Sequence, residues 1–148
     1  MITPLPLRGY ITLFQDVGLL AECWLELARA AAEVRLRPSL VVAWKGPASD
    51  AARSERSRPV AEICRWIERA ASIHFKRMTC LERALAAKRV LRRRGFNAEL
   101  HIGVRRADQG YEAHAWLTLD GRSLDPAADD FVAMRPVSMA RRRDDQDG

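Results

Sequence analysis

The chain has 148 residues, 48% of them hydrophobic and 30% charged, and carries a net charge of +6 at pH 7. That size suits one domain, residues 1–148, with a real core and a hydrated surface. No apolar run approaches the roughly eighteen residues that span a bilayer, and Met1-Ile2-Thr3-Pro4 lacks the basic and apolar regions of a signal peptide, so the expected location is the cytoplasm.

A helix is expected over about Thr12 to Arg35, where Leu13, Val17, Leu20, Trp24, Leu27 and Ala31 recur at steps of three and four. Pro38 stops it. The short apolar piece Leu40 to Trp44 follows, then a loop from Lys45 to Arg58 rich in Gly, Pro and Ser. Pro59 opens a second helix, as proline suits a first helical position, with Val60, Ile63, Cys64, Ile67, Ala70 and Ala71 as its apolar stripe. Cys64 on that stripe and Cys23 beside Trp24 read as small core residues.

Thr79-Cys80-Leu81-Glu82 is a capping box, Thr-x-x-Glu, in front of a third helix that ends at Gly95. It puts Cys80 at the first helical position. There the orphan backbone N–H groups and the positive end of the helix dipole favour a thiolate. This helix is strongly basic: Arg83, Lys88, Arg89, Arg92, Arg93 and Arg94 stand against Glu82 alone, and Arg141 to Arg143 form a second cluster. A solvated face is one reading and an acidic partner another. No aromatic side chains interleave the charges, so nucleic acid is not expected.

After Gly95 the period changes to two. Ala98, Leu100, Ile102 and Val104 alternate with Asn97, Glu99, His101 and Gly103; after a turn at 105–110, Ala113, Ala115, Leu117 and Leu119 alternate with Glu112, His114, Trp116 and Thr118. Asp120-Gly121 signals a two-residue hairpin, Arg122 to Leu124 begins a third strand that Asp125-Pro126 ends or bends, and Phe131 to Met134 is the candidate fourth. Helices followed by an antiparallel meander make an α+β fold, with a helical part at 1–78 and a catalytic helix and sheet at 79–136.

Cysteine at a helix start, histidine on a strand and aspartate after a hairpin is the chain order of a papain- or transglutaminase-like nucleophilic site. Cys80 would attack, His114 would take and return the proton, and a carboxylate would orient the imidazole. In a hairpin turning at 120–121, residue 114 faces 126 or 127, so Asp125 is the carboxylate within reach; Asp120 is the rival, although the turn already explains it. The odd number of cysteines and the scattered His74, His101 and His114 give no disulfide framework, metal-ligand spacing or cofactor motif. No metal or cofactor is expected.

Cys80-Leu81-Glu82-Arg83-Ala84-Leu85, Leu91 to Phe96, Leu100-His101-Ile102-Gly103-Val104, Ala113-His114-Ala115-Trp116-Leu117 and Asp120-Gly121-Arg122 together resemble the lasso peptide biosynthesis B2 proteins, over about residues 60–126. The resemblance implies a papain- or transglutaminase-like fold and a leader peptidase acting on a ribosomally made precursor peptide. A separate leader-binding recognition protein of the B1 type would present the substrate, since 148 residues leave no room for a second domain beside the peptidase. A lasso cyclase would then use the freed amine. The family's cysteine and histidine fall on Cys80 and His114, and its aspartate in the region of Asp125. A transglutaminase-like acyltransferase and a non-catalytic basic binding protein are the alternatives.

Overall fold

The computed structural model describes residues 7–37 and 59–134. The apolar piece Leu40 to Trp44, the loop at 45–58 and the arginine cluster 141–143 lie outside the described residues. Three helices, α1 (Leu7–Leu36), α2 (Val60–Ser72) and α3 (Cys80–Arg93), pack on one face of an antiparallel sheet of β1 (Glu99–Ala107), β2 (Gly110–Leu119), β3 (Arg122–Ser123) and β4 (Val132–Ala133). The fold is α+β, as the change of period at Gly95 predicts.

The helix ends follow their caps. Pro59 precedes α2 as its N-cap residue. Thr79 and Glu82 close the capping box in full: the Glu82 amide donates to Thr79 Oγ1 at 3.3 Å and the Thr79 amide to Glu82 Oε2 at 2.8 Å. Gly95 sits at φ 80°, the left-handed conformation that ends a helix most easily in glycine. Helix α3 is buried on nearly every side, with Ala84, Leu85, Ala86, Ala87, Val90 and Leu91 all in the core. Its alanines let α1 and α2 approach on one side and the sheet on the other.

Helix α1 packs much of the expected stripe, with Leu27 buried and Leu20, Trp24 and Ala31 against the core, but the stripe is centred differently; the side chain of Leu13 lies outside the described residues. Leu19, Cys23, Leu27 and Ala30 face the core, while Val17 is exposed. Charged contacts accompany this packing. Glu26 is buried on the same side, and Glu22, Glu26 and Glu33 meet the basic face of α3. Arg93 bonds Glu22 at 2.8 Å and also pairs with Glu26; Arg94 bonds Glu22 at 2.6 Å; Arg89 pairs with Glu33 and lies 3.5 Å from Glu26. The basic run of α3 is therefore largely neutralised inside the molecule. It is neither a simple solvated face nor a set of charges awaiting a partner.

The sheet order is β3-β2-β1-β4. β1 runs through Ala107, longer than expected, and pairs with β2 from Glu99↔Thr118 to Ala107↔Gly110. The Asp120-Gly121 turn has φ 50° and 76°, the doubly left-handed hairpin that suits strand twist. β3 pairs with β2 only at Thr118↔Ser123 and Leu119↔Arg122, and the Leu124 amide adds one bond to the Leu117 carbonyl at 2.9 Å. The chain then leaves the edge through a 3₁₀ turn, Pro126–Asp130, and returns as β4 on the far side of β1. Ala115 and Leu117 point into the core beneath the helices.

Candidate functional site

Three local devices converge on one cleft. The capping box fixes the start of α3 and with it Cys80. Glu82 is 3% exposed and is held by Lys76 Nζ at 2.6 Å. Burial works to raise its carboxyl pKa, but the Lys76 and Thr79 hydrogen bonds and the Lys76 charge outweigh burial and hold it below the usual range. Glu82 thus stays ionised, two residues from Cys80, while its charge is directed to Lys76 and the Thr79 amide.

Strand β2 carries His114. Its Nε2 lies 2.7 Å from Asp125 Oδ2. The aspartate is itself fixed. Oδ1 accepts the Ala127 amide at 2.9 Å, as the cap of the 3₁₀ turn, and Ser123 Oγ both accepts from the Asp125 amide at 3.2 Å and donates to its carbonyl at 2.8 Å. β3 is short because Asp125 bends away from the hairpin register to reach the imidazole. Asp120 stays in the turn, as its left-handed φ explains.

Aromatic rings frame the imidazole. Phe131 lies 4.9 Å from it, centroid to centroid, and Trp116 stacks 6.2 Å away at an interplanar angle of 16°. Trp116 lies over Gly103, the β1 residue paired with His114. Phe131 is clamped in turn by the Arg105 guanidinium, 4.7 Å above its ring. Sequence marks Phe131 only as the start of the fourth strand; its place over His114 depends on the crossover from β3 to β4.

Cys80, His114 and Asp125 line one cavity of about 1040 Å³, between α2, α3 and the β2–β3 end of the sheet. No hydrogen bond joins the Cys80 and His114 side chains among the described residues, as is common in a ligand-free site, where such contacts tighten only with substrate. The half-buried Cys64 lines the same cavity, so it is a wall residue of the cleft more than a core residue. Cys23 is fully buried. Burial, with a contribution from Glu68, pushes the Cys64 thiol up; burial and neighbouring Glu22 push Cys23 to about 11.

The other histidines have structural surroundings. His101 Nε2 lies 2.9 Å from Thr118 Oγ1 and its ring stacks on Trp116. His74 stacks on Trp24 at 4.5 Å and meets Phe75 at 4.3 Å. Among the described residues no three His, Cys, Asp or Glu side chains gather as a metal site, and no helix is long and apolar enough to cross a membrane.

Searches among curated proteins and among solved structures find no match. A family model described as the transglutaminase-like superfamily matches residues 23–139, a span that takes in the cysteine helix, the histidine strand and the aspartate turn together. The chain belongs to the transglutaminase-like superfamily.

Proposed function

We propose that this protein is a cysteine peptidase that removes the leader from a ribosomally synthesised precursor peptide in lasso peptide biosynthesis. The observation that carries the chemistry is the His114–Asp125 hydrogen bond of 2.7 Å in the cleft shared with Cys80. Order, spacing and family membership support the same reading. The resemblance to the B2 proteins supports the substrate class.

Cys80 is the nucleophile, His114 the general base and Asp125 the group that orients it. Asp125 engages Nε2, which leaves Nδ1 to take the thiol proton. Sulfur attacks the scissile carbonyl, and the Cys80 backbone N–H, free of an intrahelical partner at the first helical position, donates to the oxyanion. Collapse of the tetrahedral adduct breaks the C–N bond, and His114 returns the proton to the leaving amine. Water, deprotonated by His114, then attacks the thioester, frees the leader carboxylate and restores the thiol. Asp125 stabilises the imidazolium in both halves without taking the proton.

The same residues would serve an acyltransferase if an amine replaced water. Mass spectrometry of a precursor peptide separates the two: hydrolysis yields two fragments whose masses sum to the precursor plus water, whereas transfer yields a joined product. The proposed partners are the precursor, a separate B1-type recognition protein holding the leader, and the lasso cyclase. A recognition protein raises the effective concentration of the scissile bond at the cleft, so cleavage should accelerate when it is added. Full activity without it would show that the protein needs no such partner.

A further inference from the structure

The cleft continues well past the reacting groups. Arg83 on α3 bonds Glu68 on α2 at 3.0 Å. Cys64 and Ala87, each about one helical turn from those partners, line the same cavity. Ala87 is seven residues beyond Cys80, about 10 Å of helix rise. Besides the reacting groups the cavity is lined by Ala61, Cys64 and Ile67 of α2, Ala84 and Ala87 of α3, and Leu124. The alanines leave space where larger side chains would close the helix–helix contact. The charged lining residues Arg65, Glu68 and Arg69 are exposed at the rim, where Glu68 is already paired with Arg83.

We propose that this trough is a specificity subsite for one apolar side chain of the substrate, about three residues from the scissile bond. The distance sets the position, because an extended chain advances about 3.3 Å per residue. Continuity with the cleft sets the occupant: a peptide whose carbonyl meets Cys80 must continue along either the trough or the open side, and the trough offers apolar walls. A charged side chain there would lose its hydration with no partner below the rim. An apolar one buries surface at about 25 cal/mol per Å². The inference rests on the reading of Cys80 as the reacting thiol.

Alkylating probes test the trough without knowledge of the precursor. Their thiol-reactive carbon binds Cys80 sulfur and iodide leaves. Rates at Cys80 are read by peptide mapping for iodoacetamide, N-octyl iodoacetamide and a tail of equal length ending in a carboxylate, each divided by the same reagent's rate with glutathione. The octyl probe should exceed the other two by about tenfold, the gain expected when a few methylenes are buried. Cys64→Trp should abolish that preference, read as the ratio of the octyl to the iodoacetamide rate in the same variant; Ala61→Trp, at an exposed position, is the second filling variant if Cys64→Trp does not fold. Equal normalised rates in the native chain, or an octyl preference that survives filling, overturn the proposal. Cys80-dependent cleavage of a precursor without any octyl preference would defeat the trough and leave the peptidase standing. An octyl preference without cleavage would do the reverse.

Discussion

Trp116 lies so closely over Gly103 that a Cβ on the glycine would stand 2.6 Å from the indole ring and 2.6 Å from the Val132 carbonyl oxygen. Backbone forms one side of that contact, so the clash cannot be relieved by a flexible side-chain tip. Gly103→Ala should cost about 1–3 kcal/mol, the usual range for overpacking, and should displace the indole that stacks on His114. Urea unfolding measures the first effect. Cleavage lowered beyond the loss of folded protein measures the second, and wild-type stability would show that Trp116 is free to move.

Asp125→Asn should keep the cap on the 3₁₀ turn, since an amide oxygen can still accept from the Ala127 amide, but lose the charge facing His114. Cleavage should fall by about 10³–10⁴-fold, as at comparable triads. Asp120→Asn should stay near wild type, because asparagine tolerates the left-handed conformation. Single-turnover rates of the two variants decide between the carboxylates; the reverse order would mean that Asp120 acts.

Removing the Glu26 carboxylate leaves Arg89 and Arg93 with one partner fewer at the α1–α3 interface, where Glu26 is 5% exposed. Glu26→Ala should destabilise the fold by about 3 kcal/mol, at the low end for a broken buried pair because Arg93 is half in solvent and both arginines keep a second glutamate. Chemical denaturation checks this, and a loss below about 0.5 kcal/mol would make the network a surface feature.

Acid should weaken the fold in two windows. Burial, with the Lys76 charge, holds His74 below its ordinary 6.5 despite opposing contributions from Trp24 and Glu82. The unfolded chain therefore binds that proton first, and stability declines as pH falls from 6.5 toward the lower folded value. Glu22 and Glu82 are likewise depressed: burial raises both, but the arginines outweigh it at Glu22, and Lys76 with Thr79 at Glu82. Their contribution is present above 4.5 and is lost as pH falls through the folded values. Urea midpoints from pH 8 to pH 3 should show both declines. His74→Phe should flatten the first only and Glu82→Gln part of the second; a midpoint constant down to pH 4.5 would contradict the assignment to His74.

Features set by neighbours in sequence could be read before the fold was known. The Thr79–Glu82 box, the Gly95 stop, the change of period at the strands and the Asp120-Gly121 hairpin each depend on a few adjacent residues. Asp125 could be placed because a hairpin converts sequence distance into register. Features that depend on remote pairing were hidden. Glu22 and Glu26 of α1 meet an arginine about seventy residues away, with Leu19, Cys23 and Ala30 in the core beside Leu27. β4 crosses to the far edge and brings Phe131 over His114. Cys64 looks like core by periodicity, yet the alanines opposite it leave a cleft. The Glu22-Glu26 spacing, set against the basic run of α3, was the available hint of the ion-pair network.

In the proposed function, Cys80 hydrolyses a peptide bond with the help of His114. The direct measurement is mass spectrometry of a precursor peptide incubated with its recognition protein and the wild-type chain, Cys80→Ala or His114→Ala, each variant shown by circular dichroism to be folded. Two fragments summing to the precursor plus water, absent with either variant, are the predicted result. Cleavage that persists in folded Cys80→Ala, or a joined product in place of fragments, would contradict it.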